Sequence, residues 1–356
     1  MDMKRAYYED IELFKSVTIL FWAICLMVAL FALPLFATNY YLYLFNLIMV
    51  HAILAVGLNI LVGSTGQISL GHAGFFAIGA YATVLLMTKL GVPFFPAIII
   101  AAFIAAFFGF ILGLPALRLE GPYLTIATLA FGLAIMHIIG HTEIFGGRSG
   151  LRAPALNIGI PQMGWNFTLT TDISKYYLVL LFTIFMVWGA INILKTKVGR
   201  AFVAIRDSDI AAEVIGINLT IYKTLSFAVS AFYAGIAGGL FAFVLGFFDP
   251  VTFNMFLSIY FLVMIVVGGL GSIMGSITGA AFITYLMYAL FKNVKDVPHV
   301  GDFLVAISQR WLSITGMDNL SAIALGLVMI GIMIFEPMGI FGVWIRVKKY
   351  WKTWPF

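Results

Sequence analysis

Charge is scarce in this chain. Of its 356 residues only 10% are Asp, Glu, Lys or Arg, while 63% are hydrophobic. Globular domains carry about 25% charged residues, so a soluble globular fold is excluded. Cysteine is almost missing as well: Cys25 is the only one and lies in an apolar run, so disulfides say nothing about compartment. No G-x-x-x-x-G-K-[ST] occurs, nor any Gly-Lys pair, which excludes cradling of ATP phosphates by that route. No carboxylate falls clearly inside an apolar run, since Asp249 and Glu336 stand at ends. A proton- or sodium-coupled carrier is expected to bury at least one, so this lack weighs against a secondary transporter. The net charge of +5 does not point to nucleic acid, because the cations sit where apolar runs end.

What is present in quantity is long apolar sequence without alternation, which selects helices over a barrel as the membrane-spanning form. About ten spans are expected, near Ser16–Phe36, Tyr40–Val62, Ile68–Thr88, Pro93–Leu114, Tyr123–Gly140, Tyr176–Leu194, Tyr222–Gly246, Phe256–Gly269, Ser272–Phe291 and Leu320–Ile340. The reading is a single all-α polytopic membrane domain over residues 1–356, embedded in the bilayer, with no cleavable signal evident. An even number of spans puts both termini on one side, together with 13 cations against 7 opposite. The positive-inside rule makes that side the cytoplasm. Tyr350, Trp351 and Trp354 beside the terminal lysines read as an interfacial anchor.

The one long polar interlude is Thr196–Lys223. Lys195, Lys197, Arg200, Arg206 and Lys223 fall in or just before it, with Asp207, Asp209 and Glu213. Ala201, Ala204, Ile205, Ala212, Ile215 and Gly216 recur at three- and four-residue spacing, predicting a short amphipathic helix, a turn and a second helix. Composition alone favours a charged linker at the membrane face. The sharper reading makes residues 195–223 a docking loop, with its small residues, including Ala211, seated in a partner's groove. Arg200 and Arg206 would then pair with a partner's acids or lipid phosphate, and Asp207 and Asp209 would cap the following helix.

Two stretches depart from plain apolar helices. Leu61–Ala82 carries Gly63, Gly66, Gly71, Gly74 and Gly79 with Gln67, Ser69 and His72. Val266–Phe282 carries a small-residue stripe of Gly271, Gly275 and Gly279. An offset of 205 pairs Gly63 with Gly268, Gly66 with Gly271 and Gly74 with Gly279, while Gly71 meets Ser276. Glycine-interrupted spans at corresponding positions point to a substrate pathway; close helix packing is the plain alternative. The candidate pathway residues are Gly63, Gly66, Gln67, Ser69, Gly71, His72, Gly74 and Gly271, whose opened helix ends offer donors and carbonyls to a zwitterion. Outside, His141–Lys175 and Lys292–Asn319 are mixed-charge loops. His137 and His141, with Glu143, have zinc-compatible spacing, but no further ligand is apparent and the ends of spans often carry histidine, so no metal is expected.

Several motifs then agree in order. GQISLGHAGFFAIGAYA, GPYLTIATLAFG, IFGGRSGL, GRAFVAIRDSDIAAEVIGIN, GGLGSIMGSITGAAF and FEPMGIFG resemble the M-type permease subunit of branched-chain amino acid ABC importers, the LivM family, from about Val50 to Gly342. The resemblance implies the ABC importer permease fold in a bacterial inner membrane. It implies a coupling loop drawing on Gly199, Arg200, Ala201, Ala204, Arg206, Asp207, Ala211, Ala212 and Gly216. Partners would be a homologous H-type permease, two cytoplasmic ATPases that hydrolyse the ATP, and a periplasmic binding protein. The chain itself would be no enzyme and hold no cofactor. Ile210 stands where a Glu is usual in importer loops, and no Leu-Pro follows Gly216. Related permeases carry urea or short amides, which remains an alternative cargo; a stand-alone carrier is the alternative machine.

Overall fold

The computed structural model describes residues 17–115, 119, 121–157, 168–169, 171–291, 317–336 and 338–353. Ser16, Trp354 and residues 292–316 of the Lys292–Asn319 loop lie outside them. The helices are α1 (Val17–Phe36), α2 (Asn39–Asn59), α3 (His72–Lys89), α4 (Phe94–Gly113), α5 (Pro122–His141), α6 (Asp172–Lys195), α7 (Lys197–Asp207) and α8 (Asp209–Val214). They continue with α9 (Leu219–Leu245), α10 (Met255–Gly268), α11 (Ile273–Tyr285), α12 (Met317–Phe335) and α13 (Gly339–Thr353). A π turn, Ile60–Ser64, extends α2, and another, Leu286–Phe291, extends α11.

A helix stands at each of the ten expected spans. Among the described residues six helical stretches are long and apolar enough to cross a bilayer, and shorter apolar helices lie at 24–36, 255–268 and 273–288. The differences are local. The expected span from Ile68 becomes helical only at His72, because residues 66–71 leave the helix. The last one ends at Phe335, before Pro337, and the chain restarts as α13.

Helices α2 and α9 form the centre. Apart from their outer turns they are almost wholly buried, and α9 lies against α4, α3 and α2. Small residues make this crossing possible. A Cβ on Gly79 would stand 2.2 Å from Gly235 O, and one on Gly238 would stand 2.0 Å from Phe76 O. Close backbone approach of this kind drives helix association where lipid removes the hydrophobic force between helices. The peripheral helices α4, α5 and α6 turn Phe103, Phe107, Ile126, Phe185 and Trp188 outward, as surfaces solvated by lipid do. At one end of the bundle, β1 (Leu151–Arg152) pairs antiparallel with β4 (Phe247–Phe248), and β2 (Leu156–Asn157) with β3 (Thr168–Leu169). These two-residue pairs were not expected from the sequence, where the loop reads as solvated chain.

Candidate functional site

The polar interlude forms two helices with a sharp join. Gly199 makes the first bend possible: a Cβ there would be 2.3 Å from Leu194 Cα. Helix α7 buries Ala201, Phe202 and Ile205 against the bundle. Ser208, in extended backbone, caps α8 by accepting from Ala211 N at 3.3 Å. The expected capping by Asp207 and Asp209 is corrected here. Asp207 Oδ1 accepts from Arg206, and Asp209 Oδ2 meets Lys223 Nζ at 2.5 Å. Ser208 holds the cap position, so both acids are left for cations.

The small residues of the loop divide. Ala201 and Ala212 are buried inside this chain, Ala204 is half-buried, and Ala211 and Gly216 are exposed. What projects outward from α8 is Ile210, Val214 and Ile215, each more than 70% exposed. Sequence reasoning did not single out Ile210 and Val214 as outward positions, although Ile210 departs from the importer pattern, and it counted Ile215 only toward the helical period. Arg200 directs Nη1 to Lys195 O at 3.3 Å. A hollow of about 640 Å³ lies between α8 and the start of α9, lined by Asp209, Ile210, Glu213, Ile217, Asn218 and Lys223 among others.

Beside this loop the first glycine-rich stretch breaks. After the π turn, Gly66 adopts φ +74°, which favours glycine, and the chain runs without regular structure to α3. Thr65 Oγ1 donates to Leu61 O at 2.7 Å, and Thr128 Oγ1 accepts from Leu70 N at 3.0 Å. His72 is fully buried, with Nδ1 3.0 Å from Ser69 Oγ and Nε2 2.7 Å from Ser230 Oγ on α9. Ser258 Oγ on α10 accepts from Ala73 N at 3.0 Å. The start of α3 is thus enclosed by protein hydrogen bonds. Gly71 and Gly74 press on Thr128 and Gly132 of α5. Gln67 differs from its neighbours: its side chain is buried and neither Nε2 nor Oε1 has a partner among the described residues. A buried amide left so costs about 1–3 kcal/mol.

The second glycine-rich stretch meets the first. Asn59 Nδ2 donates to Ser272 O at 3.0 Å, and Gly271 N donates to Asn59 Oδ1 at 2.9 Å. A Cβ on Gly63 would be 2.4 Å from Gly271 N. Gly271 has φ +80°, like its offset partner Gly66, whereas Gly275 and Gly279 face Gly268 across the α10–α11 turn. The break between α12 and α13 joins the same place: Gly269 lies against Met338 and Phe341, and Gly339 against Val267 O. Glu336 and Arg346 close it with an ion pair. At the other end of the bundle, the tilted rings of His137 and His141 lie with centroids 4.1 Å apart, and His141 Nδ1 lies 2.9 Å from His137 O.

A polytopic all-α membrane protein is therefore defined, whose helix breaks and amphipathic loop gather at one end. The family profile described as "Branched-chain amino acid transport system / permease component" matches residues 40–335, and the chain belongs to this family. It is similar to the high-affinity branched-chain amino acid transport system permease protein LivM of Escherichia coli K12, 37% identical over 269 residues, which are 70% of this chain and 63% of the relative. The LivM of Salmonella typhimurium LT2 is 37% identical over 243 residues, 63% of this chain and 57% of that protein. The chain thus spans less than two thirds of the length of these relatives. A probable branched-chain amino acid transport permease protein LivH of Methanocaldococcus jannaschii is 24% identical over 318 residues, 85% of this chain and 91% of that one. No solved structure matches the chain significantly.

Proposed function

We propose that this chain is the M-type permease subunit of an ATP-driven importer for branched-chain or related apolar amino acids, forming one half of the pathway with an H-type permease. Two cytoplasmic ATPases supply the energy by hydrolysing ATP, a periplasmic binding protein supplies the cargo, and the chain performs no catalysis and holds no cofactor. It sits in the bacterial inner membrane as one domain, with both termini and residues 195–223 cytoplasmic. The names and identities of the LivM relatives support the cargo class, and membership of a transport permease family supports a role without chemistry.

The observation that carries this reading is a segregation. The turns that the cation asymmetry assigns to the cytoplasm, 63–71, 195–223 and 269–272, meet at one end. The segments it assigns outside, 151–152 and 247–248, pair with each other. The unpartnered amide of Gln67 supports placing the pathway beside the first break, with Gly63, Gly66, Ser69, Gly71, His72, Gly74 and Gly271 as its framework. The exposed Ile210, Val214 and Ile215 support α8 as the surface that docks an ATPase.

The test is reconstitution of the two permeases, the ATPases and the binding protein in proteoliposomes. ATP-dependent uptake of leucine, isoleucine or valine is expected, requiring every component. Uptake of urea in preference to leucine would change the cargo. Gradient-driven uptake by the purified chain alone would overturn the assignment to an ATP-driven machine.

A further inference from the structure

Arg206 reaches in two directions. Its Nε and Nη2 donate to Asp207 Oδ1 at 3.1 and 2.9 Å, and its Nη1 donates to Gly63 O at 3.1 Å. The same Nη1 stands 3.3 Å from where a Cβ on Gly271 would be, and its Cγ stands 3.4 Å from the equivalent point at Gly66. Carbonyls in the last turn of a helix have no partner within it, and a cation placed there satisfies one and complements the dipole. Arg206 thus caps the end of the α2 π turn from a different element, 143 residues away in sequence. The connection continues one turn earlier, where Asn59 holds both Gly271 N and Ser272 O. One guanidinium and one carboxamide therefore join α7 to both glycine breaks.

Resting on the reading that residues 195–223 dock an ATPase, we propose that Arg206 is the positioning residue that passes movement of α7 to both glycine breaks, and is not itself a contact to the ATPase. The planar fork makes this possible. Two of its donors are fixed on Asp207, so the third has a defined direction toward Gly63. Displacement of α7 must then either carry the Gly63 carbonyl along or break that bond. The segment it grips is a π turn, whose hydrogen-bond register is the kind that accommodates such shifts. Lysine offers a point charge without a fork and can serve only one of these acceptors at a time.

The experiment uses the complete importer in proteoliposomes and reads retained ATPase subunits, hydrolysis with loaded binding protein, and substrate taken up per ATP hydrolysed. Arg206→Gln is expected to keep the ATPase subunits bound while uptake per ATP falls about tenfold, the range of a coupling interaction. Arg206→Lys should fall between. Asn59→Ala cuts the second link and should give the same signature, and the double variant should be no worse than the more severe single one, because both lie in one relay. Loss of the ATPase subunits from Arg206→Gln would make Arg206 a docking contact and overturn the proposal. Unchanged uptake per ATP, or additive effects with Asn59→Ala, would overturn it too. If Arg206→Gln does not reach the membrane, Asp207→Asn removes the fork's anchor and should lower uptake per ATP about threefold; an unchanged ratio there overturns the relay. Ile210→Asp tests docking by itself. ATPases that stay bound to that variant refute the docking surface, whatever Arg206 does.

Discussion

The two glycine breaks are made of different material. The first, residues 66–71 with the start of α3, is held by side chains from other segments: Thr128 accepts from Leu70 N, Ser258 accepts from Ala73 N, and Ser230 meets His72. The second, residues 269–272, receives the two hydrogen bonds of Asn59, but the helices that flank it are locked by close backbone contact. Gly268 and Gly279 pass so closely that a Cβ on Gly279 would be 2.0 Å from Met264 O. A break held by exchangeable hydrogen bonds can be rearranged by swapping partners, whereas one held by interlocked backbones moves as a block. The same residue type thus serves a rearrangeable element in one place and a rigid one in the other.

The largest expected effect falls on the rigid break. Gly279→Leu should cost more than about 3 kcal/mol by overpacking, so that little assembled protein is recovered in detergent. Recovery at full yield would show that α10 and α11 do not cross this closely. Next comes the centre of the exchangeable break. His72→Ala removes the contacts to Ser69 and Ser230 and should lower stability by about 1–3 kcal/mol, read as a lower Tm of the complex. His72→Asn should restore part of the loss; equal losses would mean that packing, not hydrogen bonding, is what His72 provides.

Ser272→Ala sharpens the contrast at the second break. Its Oγ accepts from Gly275 N at 3.1 Å as the N-cap of α11, so its removal should cost about 1 kcal/mol. Its carbonyl, held by Asn59, is untouched, so uptake should persist. No loss of stability is expected at Gln67→Leu, which should be neutral or stabilising by up to about 1–3 kcal/mol, because the amide has no partner among the described residues to lose. Uptake should nevertheless fall. A marked drop in Tm with normal uptake would show a structural rather than a pathway role.

Much of this was legible in the sequence. Apolar runs located the helices because a bilayer leaves no other way to satisfy the backbone, and Gly63–Gly71 and Gly268–Gly271 marked the breaks. The two-helix form of 197–214 followed from its periodicity. What was not legible depends on partners distant in sequence. Arg206 read as a cation for a partner's acids or lipid phosphate, because nothing in its neighbourhood indicates Gly63 O. Ala212 read as an outward small residue, yet it is buried, and the outward positions belong to Ile210 and Val214. The period of the loop gave the faces of its helices but not which face the bundle would cover. The strand pair 151–152 with 247–248 was hidden for the same reason, since two residues carry no alternation to detect.

The wide turn at Ile60–Ser64 has a further meaning as phase. It retains one residue more than an α ladder needs, so everything after it is rotated relative to the long helix before it. One residue corresponds to about 100° of rotation and about 1.5 Å of rise. Deleting a single residue within 60–64 would restore the α ladder and leave composition nearly unchanged. It would also swing Gly63 and Gln67 around the axis, turning the carbonyl away from Arg206 and the amide away from its present enclosure. The tie between loop and break is in this sense an angular setting, held by the count of residues in one turn.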